Sequence, residues 1–477
     1  MKLSTLAFST LALVCLLGFS PGIQAATYTV TRNDDRNNPS CAVGDCSLRE
    51  AISAASATSE NDTINFAAGL TTITLTDEIQ MQDITVSGTF DIVGPGANVL
   101  TIDGGSGENS IFFVSITHLS LSGVRLTKSG NAGFTAGVGV FVNGGSLDLN
   151  GVEITGITSQ SGGIGLYLFN STTHILNSTI SSNNSLQSGC AGIYQNYGNL
   201  YLVNTTISGN TGVSAGGGIC VQDGSAVIRN STITNNTGGG GGGIYFSSTG
   251  TGSVIIGNTI VAGNTSSSNF RPEIFNDSSS PFNSVFSHGN NLVGDSAGDS
   301  TNTGNPVGYQ QSDIRDVNPM LGALQYNGGQ TRTNALLSGS PAIDAGDNAK
   351  AVDPFTNQPL TTDQRGYQRI VNGNVAGAVV DIGAFEFAAV PTAASVTVSG
   401  RVLAGKGRGV SRAFVYLTDS EGNTRTVLTN SFGYYRFEDV QVGETYVFSV
   451  FSKHHQFNPQ VLTVNEEIES LNFTALE

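Results

Sequence analysis

The chain has no tryptophan, three methionines and five cysteines in 477 residues, and only 12% of its residues are charged. That charge is lopsided, with 36 acidic against 20 basic side chains for a net of −16, which argues against nucleic acid or an anionic membrane surface as partner. Beyond Ala26 no run approaches the about 20 apolar residues a membrane span needs. Helical periodicity is nearly absent, which excludes an ordinary helical or α/β domain. The histidines and cysteines show no zinc spacing, so no metal site or cofactor is expected beyond weak calcium signals.

What is abundant is glycine, 62 residues, and with it a repeat. One short phrase occurs four times, at Asn177–Asn183, Asn204–Asn210, Asn230–Asn236 and Asn258–Asn264, at nearly even intervals. That spacing is too long for a hairpin repeat and fits one coil of a parallel β-solenoid. With the fourth residue as anchor (Ile180, Ile207, Ile233, Val261), apolar residues recur five positions earlier as Ile175, Leu202, Ile228 and Ile256. Two diverged coils precede them, anchored at Leu126 and Ile154. A second apolar column runs through Val140, Leu166, Ile193, Ile219 and Ile244. The columns keep register, so the segment is folded, and its Asn residues suit left-handed bends whose amides bond from coil to coil.

The segment 1–26 reads as a secretory signal: Lys2, an apolar stretch from Leu6 to Phe19, and a cut after Ala25 or Ala26. Leu16 and Leu17 continue the apolar run past Cys15, against lipidation there. An exported protein can oxidise its remaining cysteines. Cys41 and Cys46 close a short loop and are expected to bond. Cys190 and Cys220 are expected to stay apart, since their offset of four is about 13 Å along a strand. Ser47 and Glu50 have capping-box spacing before Leu48, Ala51, Ile52 and Ala55, which predicts a short helix covering the open solenoid end.

The run Cys46-Ser-Leu-Arg-Glu-Ala-Ile52, followed by Asp62–Phe66 and Thr72–Leu75, resembles the CSLREA segment that opens many secreted bacterial β-helix proteins. Ser340–Asp347, Thr362–Gly366 and Asp381–Glu386 resemble the end of the choice-of-anchor Q region. The resemblance implies a right-handed parallel β-helix of the pectin lyase-like kind, export, and no agreed reaction. From Val396 onward Val, Tyr and Phe alternate with polar residues. Ser399–Val402, Val410–Leu417 and Thr429–Phe437 resemble the carboxypeptidase regulatory-like domain, which implies a spacer or adhesive module without peptidase activity.

The expected architecture is therefore all-β. It runs from a signal peptide (1–26) and a helical cap (27–62) to a parallel β-helix (63–265), an irregular closing region (266–390) and a small antiparallel β-sandwich (391–477).

Strand alternation sends the neighbours of the inward columns outward. Asp148, His174 and Tyr201 fall in one outward column at steps of about 4.8 Å; they are either an acid–base set or a surface ladder of unrelated polar groups. Arg125 and Glu153 are expected to form a surface ion pair worth under about 1 kcal/mol. Phe141, Tyr167, Tyr194 and Tyr245, with Cys220 interrupting, form another column, on which either sugar rings or a covering segment within 266–339 can pack. Asp344, Asp363, Arg365, Asp381 and Glu386 are expected to form a polar network that closes the helix. Asp295, Asp299, Asp344 and Asp347 are oxygen donors of the type calcium takes, without a known loop spacing.

Two functions follow. The preferred one is an exported, non-catalytic surface or adhesion protein that binds extracellular polysaccharide or cell-surface glycan through an exposed face. The other, from fold analogy, is a polysaccharide lyase or glycoside hydrolase acting on acidic polysaccharide. Coils 121–265 carry little of the concentrated acid and base that such enzymes use.

Overall fold

The computed structural model describes residues 25–476 except 39, 59–60, 83–88, 108, 130–137, 161–163, 188, 250–251, 268–270, 278–283, 298–305, 373–376, 388–394, 420–423, 442–444 and 465–466. The signal sequence up to residue 24, Asp299 and the start of the linker at 391 lie outside the described residues.

Ser47 and Glu50 cap the helix Leu48–Ala55 reciprocally, and its buried face packs Leu48, Ala51, Ile52 and Ala55 against the first strands, Thr27–Val30 and Asp62–Phe66. From there the chain winds into a solenoid. One wall is a 14-stranded sheet that includes the 11-residue strands Phe112–Ser122, Val140–Asn150, Leu166–Leu176 and Ile193–Val203. A second wall is a 10-stranded sheet of short rungs, each following a bend.

The register matches the repeat. Leu126, Ile154, Ile180, Ile207, Ile233 and Val261 pair in succession along the short-rung sheet. Ile175 pairs with Leu202, then Ile228 and Ile256; Val140 with Leu166, then Ile193, Ile219 and Ile244. All of these are 0% exposed, so a one-residue slip would turn a complete column out of the core.

The repeated phrase builds two asparagine ladders, one at each end of its rung. Its first residue is left-handed at Asn177, Asn204, Asn230 and Asn258, with φ of 52°, 45°, 48° and 49°, a conformation Asn tolerates. Its last residue points inward. Asn183 Nδ2 donates to Asn210 Oδ1 (3.0 Å), Asn210 to Asn236 (2.9 Å), Asn236 to Asn264 (2.9 Å), and Asn264 to Glu273 Oε2 (2.6 Å). Each amide also bonds a backbone carbonyl one coil back, such as Asn210 Nδ2 to Ile180 O at 2.9 Å, so these buried polar groups are satisfied.

Three expectations change. The rungs continue past residue 265, through Ile274–Asn276, Ser284–Ser287, Leu292–Val293 and Ile314–Arg315, where the phrase has lost its spelling but the parallel coil-to-coil pairing persists. Cys190 and Cys220 are bonded, with Cα atoms 6.0 Å apart. The along-strand distance does not apply because Cys190 precedes the strand, in a bend that brings it back over its neighbour coil. Gly216 occupies the position beneath the bridge, where a Cβ would lie 2.8 Å from Cys220 Sγ and 3.1 Å from Cys190 Sγ. The expected bond between Cys41 and Cys46 is present, Cα atoms 4.6 Å apart.

The third change concerns the residues one before each anchor. Glu153, Thr179 and Thr206 are 0% exposed, and Thr232 1%, because the returning chain lies over the short-rung sheet. Thr179 Oγ1 donates to Arg332 O, Gln364 Nε2 to Thr179 Oγ1, Thr206 Oγ1 to Gln364 Oε1, and Ala384 N to Thr232 Oγ1. Farther along, the same column turns apolar at Ile260 and Leu292, which pack with Leu336, Ala342, Ile343, Ile382 and Phe385. The outer asparagines serve as a rail for this segment: Asn204 Nδ2 donates to Thr362 O, Asn230 to Lys350 O and Asn258 to Asp347 O. Arg125–Glu153 is thus no surface pair. The buried Glu153 carboxylate also receives Arg332 Nε and the Tyr326 hydroxyl.

The last domain is a β-sandwich. Tyr434–Gln441, Ser395–Leu403 and Phe473–Thr474 form one sheet; Thr424–Leu428, Phe414–Thr418, Thr445–Phe451 and Gln460–Thr463 form the other. Pairing is antiparallel except between Ser395–Leu403 and Phe473–Thr474 and at the Val398–Ile468 bridge, and Val398, Val415, Phe437, Phe448 and Phe473 fill the core.

Candidate functional site

The outer face of the 14-stranded sheet carries both candidate columns, in the expected register. Phe113, Phe141, Tyr167 and Tyr194 pair in succession, and their ring centroids step by 5.1, 4.8 and 5.1 Å. Neighbouring planes are inclined by 71°, 69° and 56°, so the row presents a ridge of alternating faces and edges. Cys220 takes the next rung and is buried in its disulfide; Tyr245 and Phe275 resume the row 5.5 Å apart.

All six rings are partly buried and partly exposed. Burial, reinforced by Tyr167 and Asp223, pushes the Tyr194 phenol up to about 12. Burial and then Asp277, which accepts from the Tyr245 hydroxyl at 2.8 Å, push Tyr245 to about 12. Both phenols therefore stay neutral donors near pH 7. Side chains flanking the ridge on the same face include Ser115, Asn143, Asn196 and Gln222, and the Tyr194 hydroxyl donates to Gln222. The cover expected from 266–339 instead lies with the segment that crosses the short-rung sheet.

The second column is less like a catalytic set. Asp148, His174 and Tyr201 pair in succession. His174 is 9% exposed; its Nε2 lies 3.2 Å from Asp353 Oδ2, off line for a hydrogen bond, and its ring stacks on Phe355 at 4.7 Å. Tyr201 meets the same Phe355 at 5.1 Å. Asp148 faces the other way, 3.7 Å from His118 Nε2. Although burial raises it, Asp353 is held below the usual carboxylate range by His174, Thr356 and the Phe355 amide. The imidazole is therefore turned toward a partner in the closing segment, and the carboxylate expected beside it belongs to another pair.

Sequence reasoning missed Phe113 and Phe275, which extend the aromatic row, and Asp353 and Phe355. Phe112–Phe113 stand one coil period before Val140–Phe141, and that spacing was the available signal. Asp353 and Phe355 carry no such periodicity.

Among the described residues no group of three or more His, Cys, Asp or Glu is arranged to hold a metal ion, and no helix is long and apolar enough to cross a membrane. Asp347 caps Ala349 N and pairs with Lys350 at 2.8 Å. Asp363, Arg365, Asp381 and Glu386 interlock: Arg365 Nη2 to Asp363 Oδ2 at 2.7 Å, Asp381 N to Glu386 Oε2 at 3.1 Å, and Asp344 N to Asp381 Oδ1 at 2.7 Å.

Residues 138–310 match the family model for a right-handed β-helix region. The solenoid is a right-handed β-helix. Residues 397–475 match the carboxypeptidase regulatory-like domain, the sandwich described above. No curated protein matches the chain. A β-helix with two disulfides and a terminal sandwich of this kind fits an extracellular or surface protein in general terms.

Proposed function

We propose that this is an exported, non-catalytic surface or adhesion protein whose β-helix binds an extracellular glycan along the aromatic ridge from Phe113 to Tyr194. The observation that carries the reading is that ridge: four rings at 4.8–5.1 Å steps, held by continuous backbone pairing and left partly exposed. A rigid scaffold adds little ordering cost on binding. The ridge suits apolar sugar faces, and the Ser, Asn and Gln side chains beside it suit hydroxyls. Asp223 places negative charge near Tyr194 at the ridge's end, which favours neutral over uronate sugars there. The CSLREA-like opening and choice-of-anchor Q-like close, with the secretory signal, support export and belong to this proposal.

The alternative, a polysaccharide lyase or glycoside hydrolase, has the His174–Asp353 pair beside Tyr201 in its favour. Against it, Phe355 lies on both rings. A polysaccharide-binding screen with and without calcium, run beside lyase and hydrolase assays on uronate polymers, separates the two. Binding without turnover supports the proposal. Turnover lost in His174→Ala overturns it.

A further inference from the structure

In a chain of net charge −16, one groove of the terminal sandwich is lined, among the described residues, by cations alone as its charged groups. It encloses about 670 Å³, the size of a ligand site, between the loop 404–412 and the segment 451–455. Arg408, Arg412, Lys453 and His454 are exposed along it. The domain's other described arginines are engaged: Arg401 with Phe432 O and the Tyr434 ring, Arg425 with Asp439 O, and Arg436 with Glu438. Arg408, Arg412 and Lys453 have no carboxylate partner among the described residues. Phe414 and Phe451, directly paired across adjacent strands and 41% and 57% exposed, form the groove's apolar wall.

We propose that this groove binds an acidic oligosaccharide of the uronate class. Arginine forks take carboxylates bidentately, lysine adds a point charge, and the paired phenylalanines meet the apolar faces of the sugar rings. Aromatic wall and cations together favour a carboxylated sugar over an acidic peptide, which supplies charge without a ring. Among the described lining residues none is acidic, so none of them cancels the field of the three cations. This site stands apart from the solenoid ridge, and its binding is expected to weaken with salt where the ridge's is not.

The test is titration calorimetry of the full chain with a galacturonate oligomer at low and high salt, beside its methyl ester and a polyglutamate peptide. The expected result is salt-sensitive binding of the free acid, at least tenfold weaker for the ester and for polyglutamate. Arg408→Gln with Arg412→Gln should lose at least tenfold, and Phe451→Ala severalfold, with melting temperatures near wild type. Should the double variant unfold, Lys453→Gln provides the same reading from the other wall. Tyr167→Ala with Tyr194→Ala should leave this binding unchanged, so the groove and the ridge can fail separately. Absence of galacturonate binding, equal binding of polyglutamate, or binding indifferent to the cation substitutions overturns the proposal.

Discussion

Both walls of the β-helix turn a regular column of side chains outward, yet they end differently. On the short-rung sheet Glu153, Thr179, Thr206 and Thr232 disappear beneath the chain's own returning segment. On the long-strand sheet the rings from Phe113 to Tyr194 keep part of their surface in water. The covered column consists of a carboxylate that accepts and three hydroxyls that both donate and accept, with Ile260 and Leu292 at its far end. The segment above supplies complementary partners in Arg332, Gln364 and the Ala384 amide. The open column offers ring surface with hydroxyls only at its tips. On the covered face Thr179, Thr206 and Thr232 each find a partner in the closing segment. The open face instead presents aromatic rings that stay partly exposed.

That contrast predicts unequal costs. Arg332→Ala strips the nearest cation from the fully buried Glu153 and removes bonds to Thr155 and Ser181, so it should cost about 3–5 kcal/mol in denaturant unfolding. A cost near zero would mean that the face is not sealed. Removing the bridge with Cys190→Ala and Cys220→Ala, which opens a loop closed at a sequence separation of 30 beside the open column, should cost about 2–4 kcal/mol. Asn204→Leu should cost about 1–3 kcal/mol, chiefly through lost bonds to Asn177 and Thr362 O. Of the two neighbouring coils its side chain bonds only the preceding one, because the Asn230 amide has turned to Lys350 O.

A pH prediction separates the faces without mutation. Burial raises the Glu386 carboxyl above its ordinary 4.5, with Arg369 opposing and Asp381 reinforcing. The folded state therefore holds protons that the unfolded chain has released. That stabilisation is full below pH about 4.5 and is lost as pH rises through the raised folded value. Hydrogen exchange across 363–386 should accelerate from pH 5 to pH 9 after correction for intrinsic rate, while exchange across 140–150 and 166–176 should not. Equal acceleration in both would break the distinction.

How much of this was legible depended on repetition. The three inward columns named from the sequence, and the outward columns from Phe141 and from Asp148, follow from period and alternation, because a β-helix converts a regular spacing along the chain directly into contact. The capping box of the helix was legible for the same local reason. Cover was not legible: Gln364 meets Thr206 from far along the chain, and Asp353 meets His174 through a loop with no period. The Cys190–Cys220 bridge escaped because alternation describes strands, while Cys190 lies in a bend.

The smallest expected effect on stability is also the most telling one. Tyr167→Ala with Tyr194→Ala should cost little in folding, since these rings lie partly in solvent, and should abolish binding along the ridge. Affinity electrophoresis of wild type and this double variant through a panel of neutral polysaccharides measures that directly. Retardation of wild type that persists at high salt and vanishes in the variant, with melting temperatures close together, is the predicted result. Unchanged retardation in the variant, or cleavage of a polysaccharide abolished by His174→Ala, would contradict the account.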